Sequence, residues 1–238
     1  MKKTILQIGL AVVIVALGFY LYYSIMEPVK FENEYNKRRD ACAEKLKAIR
    51  SLEEAYKTTY GCYCASFDTL ITRLLNEDSM RVVSKNILHE RIPADVDINE
   101  MTELEAIKKG YIERKDIYVN PIKKLLEDGK FAYLDPEGTL KNAENIDITD
   151  KMRAMIEDVR YVPYPKGEKY EFELNAGEIE KNGFMVPVFE CKVDLVKLLA
   201  DMDKQQVVNR IAELEKYSRY AGWKVGDMTQ SITDGNFE

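Results

Sequence analysis

The stretch TILQIGLAVVIVALGFYLYYSIM, from Thr4 to Met26, carries no charged side chain, and its reading decides how the chain is organised. At 1.5 Å per residue a helix of this length reaches about 34 Å, enough to cross a hydrocarbon core of ~30 Å. Lys2 and Lys3 precede it, while Phe19, Tyr20, Tyr22 and Tyr23 sit near its far end. Lysines stay on the cytoplasmic side and amphipathic rings settle at the headgroup level, so the stretch predicts a single-pass anchor with its N-terminus inside. On this reading residues 1–3 are a cytoplasmic tail, 4–26 the transmembrane helix, and the rest lies beyond the membrane. A cleaved signal peptide is the competing reading, because Ala16-Leu17-Gly18 places small residues after the apolar run Ile5 to Val15. Phe19 to Met26 stays apolar where a cleavage region turns polar, which favours retention. Both readings export the remainder.

Immediately outward, Glu27-Pro28 predicts a break or a fresh helix start, since proline lacks the N–H that an inner turn needs. A second helix is expected from about Phe31 to Tyr60. Tyr35, Cys42, Leu46, Ile49, Leu52, Tyr56 and Tyr60 recur on one stripe, with Glu34/Arg38 and Glu53/Lys57 as i,i+4 pairs on the wet side. Gly61 supplies the stop. Ser66 caps a short helix to about Leu75 with Phe67, Leu70, Ile71 and Leu74 facing inward, so residues 27–80 read as a helical stalk or hairpin. Residues 81–238 then read as an α+β ectodomain. Asp95 to Glu100 is a loop, and Thr102 caps a short helix ending at Gly110. Short β-type runs follow at 117–119, 131–134, 160–162, 169–174 and 185–193, divided by Pro and Asn182-Gly183 turn signals. A last helix is expected from Asp203 to Tyr217, with Val207, Val208, Ile211 and Leu214 on its stripe. The fold class is α+β with a mainly antiparallel sheet.

Charge bounds the partners. The chain holds 35 Lys and Arg against 41 Asp and Glu, and two of the lysines are Lys2 and Lys3. An acidic exported part argues against a nucleic-acid partner, because phosphate binding needs a clustered positive surface. The expected partners are the lipid bilayer and an envelope protein, or a second copy through the stalk. For that contact the exposed seam would be Leu46, Ile49, Leu52 and Tyr56.

The chemistry-bearing residues are few. Cys42, Cys62, Cys64 and Cys191 all lie outside the apolar stretch, and an even count in an oxidising compartment suggests disulfides. On a continuous stalk Cys42 and Cys62 lie about 30 Å apart, beyond bridging distance, and Cys62 and Cys64 would close a strained small ring. Cys62 or Cys64 could reach Cys191, leaving Cys42 free or facing its own copy in a parallel dimer. A Cys-x-Cys metal or redox site lacks the two-to-four-residue gaps and second ligand pair typical of zinc, so no cofactor is expected. His89 has no nucleophile motif around it and reads as a surface residue. No Gly-x-Ser-x-Gly, phosphate-cradling loop or His-Glu-x-x-His occurs, and acidic pairs such as Glu53-Glu54 and Asp201/Asp203 are ordinary on an acidic surface. The 15 tyrosines could line a glycan or peptide groove, though most are expected to pack.

Several segments carry a resemblance. Ala55-Tyr56-Lys57 through Tyr60-Gly61-Cys62-Tyr63, Ser66-Phe67-Asp68-Thr69-Leu70-Ile71, Gly177 to Lys181, Val186-Pro187-Val188-Phe189-Glu190 and Gly235-Asn236-Phe237-Glu238 resemble an uncharacterised single-pass envelope family of Bacteroidota. The resemblance implies an inner-membrane anchor with a periplasmic domain and carries no activity; Cys62 and Cys64 are unusual for it. An apolar helix running through a proline into an amphipathic one, then a sheet, is also similar to type IV pilins and pseudopilins. Their leader glycine and early glutamate are missing, for no acidic residue precedes Glu27. Bitopic assembly proteins of pili and secretion systems resemble the chain equally. The expected function is a non-enzymatic, membrane-anchored scaffold or assembly component, the alternative a periplasmic peptide- or glycan-binding or sensory module.

Overall fold

The computed structural model describes residues 2–143, 146–164, 167 and 169–237. Its first element, α1, is one helix of 59 residues, Lys2–Tyr60, with Pro28 inside it. The expected interruption at Glu27-Pro28 is therefore absent. Proline forfeits one backbone hydrogen bond and crowds one turn, a local cost that long helix on both sides can absorb. Gly61, at φ +79°, closes the helix, and its amide donates to Lys57 O at 2.8 Å.

The two ends of α1 live in different surroundings. The large apolar side chains from Leu10 to Ile25 are 52–74% exposed. From Tyr35 onward one stripe is buried, with Cys42, Leu46, Ile49 and Leu52 fully inaccessible. These positions follow one another at three-, four- and seven-residue steps, the spacing of a single helix face.

The chain then folds back over that face. α2, Phe67–Asn76, buries Phe67, Leu70, Ile71, Leu74 and Leu75. Two strands, β1 (Met80–Ile87) and β2 (Ile112–Val119), pair antiparallel from Met80↔Val119 to Ile87↔Ile112 and stand out as a ribbon. Between them lie two short 3₁₀ turns and α3, Glu103–Lys108, preceded by Thr102 as expected. α4, Pro121–Glu127, starts at Asn120, whose Oδ1 accepts from the Ile122 and Lys123 amides while Nδ2 donates to Leu75 O and Glu77 O. One buried side chain thus ends α2 and begins α4. α5 is Asp150–Asp158.

The main sheet has three antiparallel strands in the order β3 (Glu173–Lys181), β4 (Phe184–Asp194), β5 (Gly222–Gly226). Asn182 and Gly183, at φ 54° and 80°, make the two-residue turn joining β3 to β4, a backbone pattern matched to strand twist. α6 (Leu195–Leu198) and α7 (Lys204–Lys216) bridge β4 and β5. The architecture is mixed α+β, with a long apolar N-terminal helix and antiparallel sheets.

Three sequence expectations need correction. Phe131 to Leu134 is a turn rather than a strand, with Leu134 N donating to Phe131 O; its apolar run serves burial, not pairing. At 160–162 and 169–174 the extended backbone makes only an isolated bridge, Tyr161↔Glu171, before β3 begins at Glu173. The division into a stalk at 27–80 and an ectodomain at 81–238 is not how the chain packs. A single core unites Leu46, Ile49 and Leu52 of α1 with Ile122, Phe131, Ile156, Phe189, Val193 and Val225.

Polar side chains fix the height of each element along α1. The rings of Tyr35 and Trp223 are 6.3 Å apart, and those of Tyr63 and Phe189 4.7 Å. Because Trp223 pairs with Val193, β4 runs from the far end of α1 back toward its apolar end. Buried Arg38 donates to Leu198 O at 3.1 Å and to the Asp201 carboxylate. Lys45 Nζ donates to Asp158 Oδ2, Asp158 O and Tyr161 O at 2.7–2.8 Å.

Candidate functional site

The structure redistributes the residues singled out in the sequence. Leu46, Ile49 and Leu52 are fully buried and Tyr56 is 6% exposed, so the expected partner seam is covered by the chain's own α2, α4 and sheet. It offers nothing to a second helix. The same packing corrects the thiols. All four cysteines are unbridged, Cys42, Cys64 and Cys191 being buried and Cys62 exposed. Cys42 cannot face its own copy, for it lies on the stripe that meets the sheet. Cys191, expected opposite Cys62 or Cys64, has Cys42 and Glu53 within electrostatic reach instead. Burial pushes the Cys42 thiol up to about 12 and Cys191 well above the ordinary range, which leaves both as unreactive core groups. Cys64 Sγ points to Ser66 O at 3.3 Å and its amide points back to α1. His89 is exposed on the ribbon's distal connection.

Glu53 and Arg38, read as members of solvated i,i+4 pairs, are both buried. Glu53 accepts the Cys64 amide on Oε2 at 2.9 Å, while Oε1 is buried without a hydrogen-bond partner. Burial raises its carboxyl to about 8, the Cys64 amide opposing that shift, so it stays protonated at neutral pH. No periodicity signal separates a buried glutamate from a wet one when both sit four residues from a lysine.

Sequence reading also missed a concavity on α1. A groove of about 540 Å³ runs between the outer face of α1 and the turn that follows α4. Among the described residues its lining holds Lys47, Arg50 and Lys130 with the acid Glu44, and Phe131, Tyr133 and Met155 on its apolar side. The turn is fixed to the helix by Ser51, whose hydroxyl lies 3.1 Å from Lys47 O and 3.3 Å from Lys130 O. Lys47 Nζ sits 5.8 Å from the Phe237 ring, and Arg50 donates to Thr233 O, so the C-terminal segment closes one end. Asp135, next to the lining residue Pro136, has a carboxylate that accepts from the Thr139 and Leu140 amides and the Thr139 hydroxyl, which lowers its pKa and keeps it charged beside the groove. The sequence signal was present as i,i+3 spacing of Lys47 and Arg50, but their partner Lys130 is eighty residues away.

Among the described residues no group of three or more His, Cys, Asp or Glu side chains is arranged to hold a metal ion. Comparison with protein-family models, with curated proteins and with solved structures finds no match to this chain.

Proposed function

We propose that the protein is a membrane-anchored, non-enzymatic scaffold or assembly component of the cell envelope, its domain held rigidly on the periplasmic side of the inner membrane. The observation that carries this reading is the continuity of α1: the apolar half that stands bare and the half at the centre of the core belong to one unbroken helix. A flexible tether would let a domain roam, whereas a continuous helix passes position and orientation from the bilayer to the domain. The bare half is 52–74% exposed at its large apolar positions, and the occupant fitting an all-round apolar surface is lipid rather than a partner helix. Lys2 and Lys3 at one end and Tyr20, Tyr22 and Tyr23 at the other support an N-in orientation. The covered seam takes no part in this reading; partner contacts fall on the outward surfaces of the domain.

A fusion of alkaline phosphatase after Glu238 is expected to be active and a cytoplasmic reporter there silent. In native gels of detergent-extracted membranes the protein is expected in an assembly larger than its 27.5 kDa mass plus micelle. An inverted reporter pattern overturns the topology, and a solitary monomer after in-membrane cross-linking overturns the scaffold role. The groove on α1 favours the second reading, a ligand-binding module, and that reading gains if the monomer result is obtained.

A further inference from the structure

The groove between α1 and the 130–136 turn combines room for a small molecule, basic side chains and an aromatic wall. Its volume of about 540 Å³ leaves room for a small molecule. Among the described residues its lining brings Lys47 and Lys130 together beside Arg50 and Glu44, on a protein whose net charge is −6. Its wall is apolar and aromatic, Phe131 and Tyr133 lying with ring centroids 6.4 Å apart beside Met155.

We propose that this groove binds a small organic anion with a flat apolar body, an aromatic phosphate or carboxylate, its charge held by Lys47 and Lys130 and its ring laid on Tyr133. The cations are available for this. Lys47 makes a ring contact with Phe237 and, among the described residues, no ion pair; Lys130 has only Asp128, at 3.8 Å. Arg50, already donating to Thr233 O, supplies field at the closed end rather than a free hand. Glu54 and Asp234 share a neighbouring depression with Arg50 and Lys130, so Lys47 is the cation of the groove farthest from them. The Ser51 hydroxyl on α1 reaches Lys130 O at 3.3 Å and ties the backbone of the turn to the helix, which limits the ordering that binding must impose on the two walls.

Height along α1 argues against a lipid headgroup as the ligand. Glu44 to Ser51 lies 18 to 25 residues past Met26 on the same helix, roughly 27 to 38 Å beyond the apolar segment at 1.5 Å per residue. Anchored lipids do not reach that far. A ligand here comes from the aqueous side, and this inference stands whether or not the domain also acts as a scaffold.

The test is calorimetric titration of the full-length protein in a neutral detergent at low salt, with 1-naphthyl phosphate as the probe. Saturable binding tighter than about 1 mM is expected, weakened at least about tenfold in the double variant Lys47→Gln/Lys130→Gln and severalfold in Tyr133→Ala. Lys197→Gln, on α6, serves as the control that leaves it unchanged. Neutral 1-naphthol and inorganic phosphate are each expected to bind at least about tenfold more weakly than the probe. No saturable binding, or equal binding by the double variant, overturns the proposal. Equal binding of 1-naphthol reduces the site to a greasy surface, and equal binding of inorganic phosphate removes the aromatic part; either result also overturns it.

Discussion

The two halves of α1 share one backbone and one register, yet the first is bare on every side and the second is the hub of the core. What separates them is the arrangement of charge. Residues 4–26 contain none, so no face is distinguished and only an apolar solvent satisfies them all. Residues 35–60 are densely charged, and the charges leave one stripe free, which dictates a partner on that side alone. Three charges break the rule by being buried, and each is answered differently: Arg38 by two carboxylates and a carbonyl, Lys45 by a carboxylate and two carbonyls, Glu53 by protonation and one amide.

The comparison predicts opposite responses to the same kind of substitution. Leu46→Ala empties space at the centre of the core and is expected to destabilise the domain by about 2–5 kcal/mol. Val13→Ala, half exposed on the bare half, is expected to change the same quantity by less than about 0.5 kcal/mol. Urea unfolding in detergent followed through Trp223, which packs near Tyr35, measures both. Equal effects would mean that the bare half belongs to the folded unit.

Glu53 sharpens the comparison by pH. Its folded carboxyl titrates near 8 against an ordinary value of 4.5, so the unfolded chain ionises first as pH rises. Between those values the folded state holds the extra proton, and stability falls with rising pH by up to about 1.4 kcal/mol per pH unit. Below about pH 4.5 the residue contributes no such slope. Glu53→Gln keeps an acceptor for the Cys64 amide and cannot ionise, so it is expected to flatten the decline between pH 5 and 8 and leave stability at pH 4 nearly unchanged. A variant as pH-sensitive as the wild type would assign the slope to other groups.

Lys45 breaks the comparison within a single turn. Lys45→Ala leaves two backbone carbonyls and the half-exposed Asp158 carboxylate without their cation, an expected cost of about 1–3 kcal/mol after discounting for solvent at Asp158. Lys47→Ala, two residues on and exposed, is expected to cost less than about 0.5 kcal/mol. Paired urea titrations of the two variants decide the matter, and a costly Lys47→Ala would make the groove rim structural.

How far the sequence could be read follows the same line. The apolar stretch, the buried stripe, α2, the Thr102 start and the helix at Lys204–Lys216 are local patterns, each legible within a few turns. Amphipathicity reveals that a face is covered and is silent on what covers it, which is why Leu46 to Tyr56 read as a seam for a partner. β1 was missed because Met80-Arg-Val-Val-Ser-Lys-Asn-Ile lacks clean alternation, as expected of a ribbon wet on both faces. Phe131 to Leu134 was misread because four apolar residues suit a buried turn as well as a strand. The groove needs Lys47, Arg50 and Lys130 together, and that convergence exists only after folding.

The smallest expected effect lies at the junction of the two halves, at Pro28. If α1 transmits position from bilayer to domain, the helix must stay straight across the residue best suited to bend it. Spin labels on Leu17→Cys and Asn36→Cys, in a Cys62→Ser background that removes the exposed native thiol, span 19 residues, or about 28 Å between backbone positions of a continuous helix. A single narrow distance distribution near that value is expected in bilayers. Pro28→Ala restores one backbone hydrogen bond and is expected to narrow the distribution slightly without shifting its centre, and to move domain stability by less than about 0.5 kcal/mol, since no core contact changes. Two glycines inserted after Pro28 are expected to broaden it toward shorter distances by adding a hinge. A wild-type distribution as broad as that of the glycine insertion would show that the halves move independently. The domain would then be tethered rather than held, and α1 would not set its position relative to the bilayer.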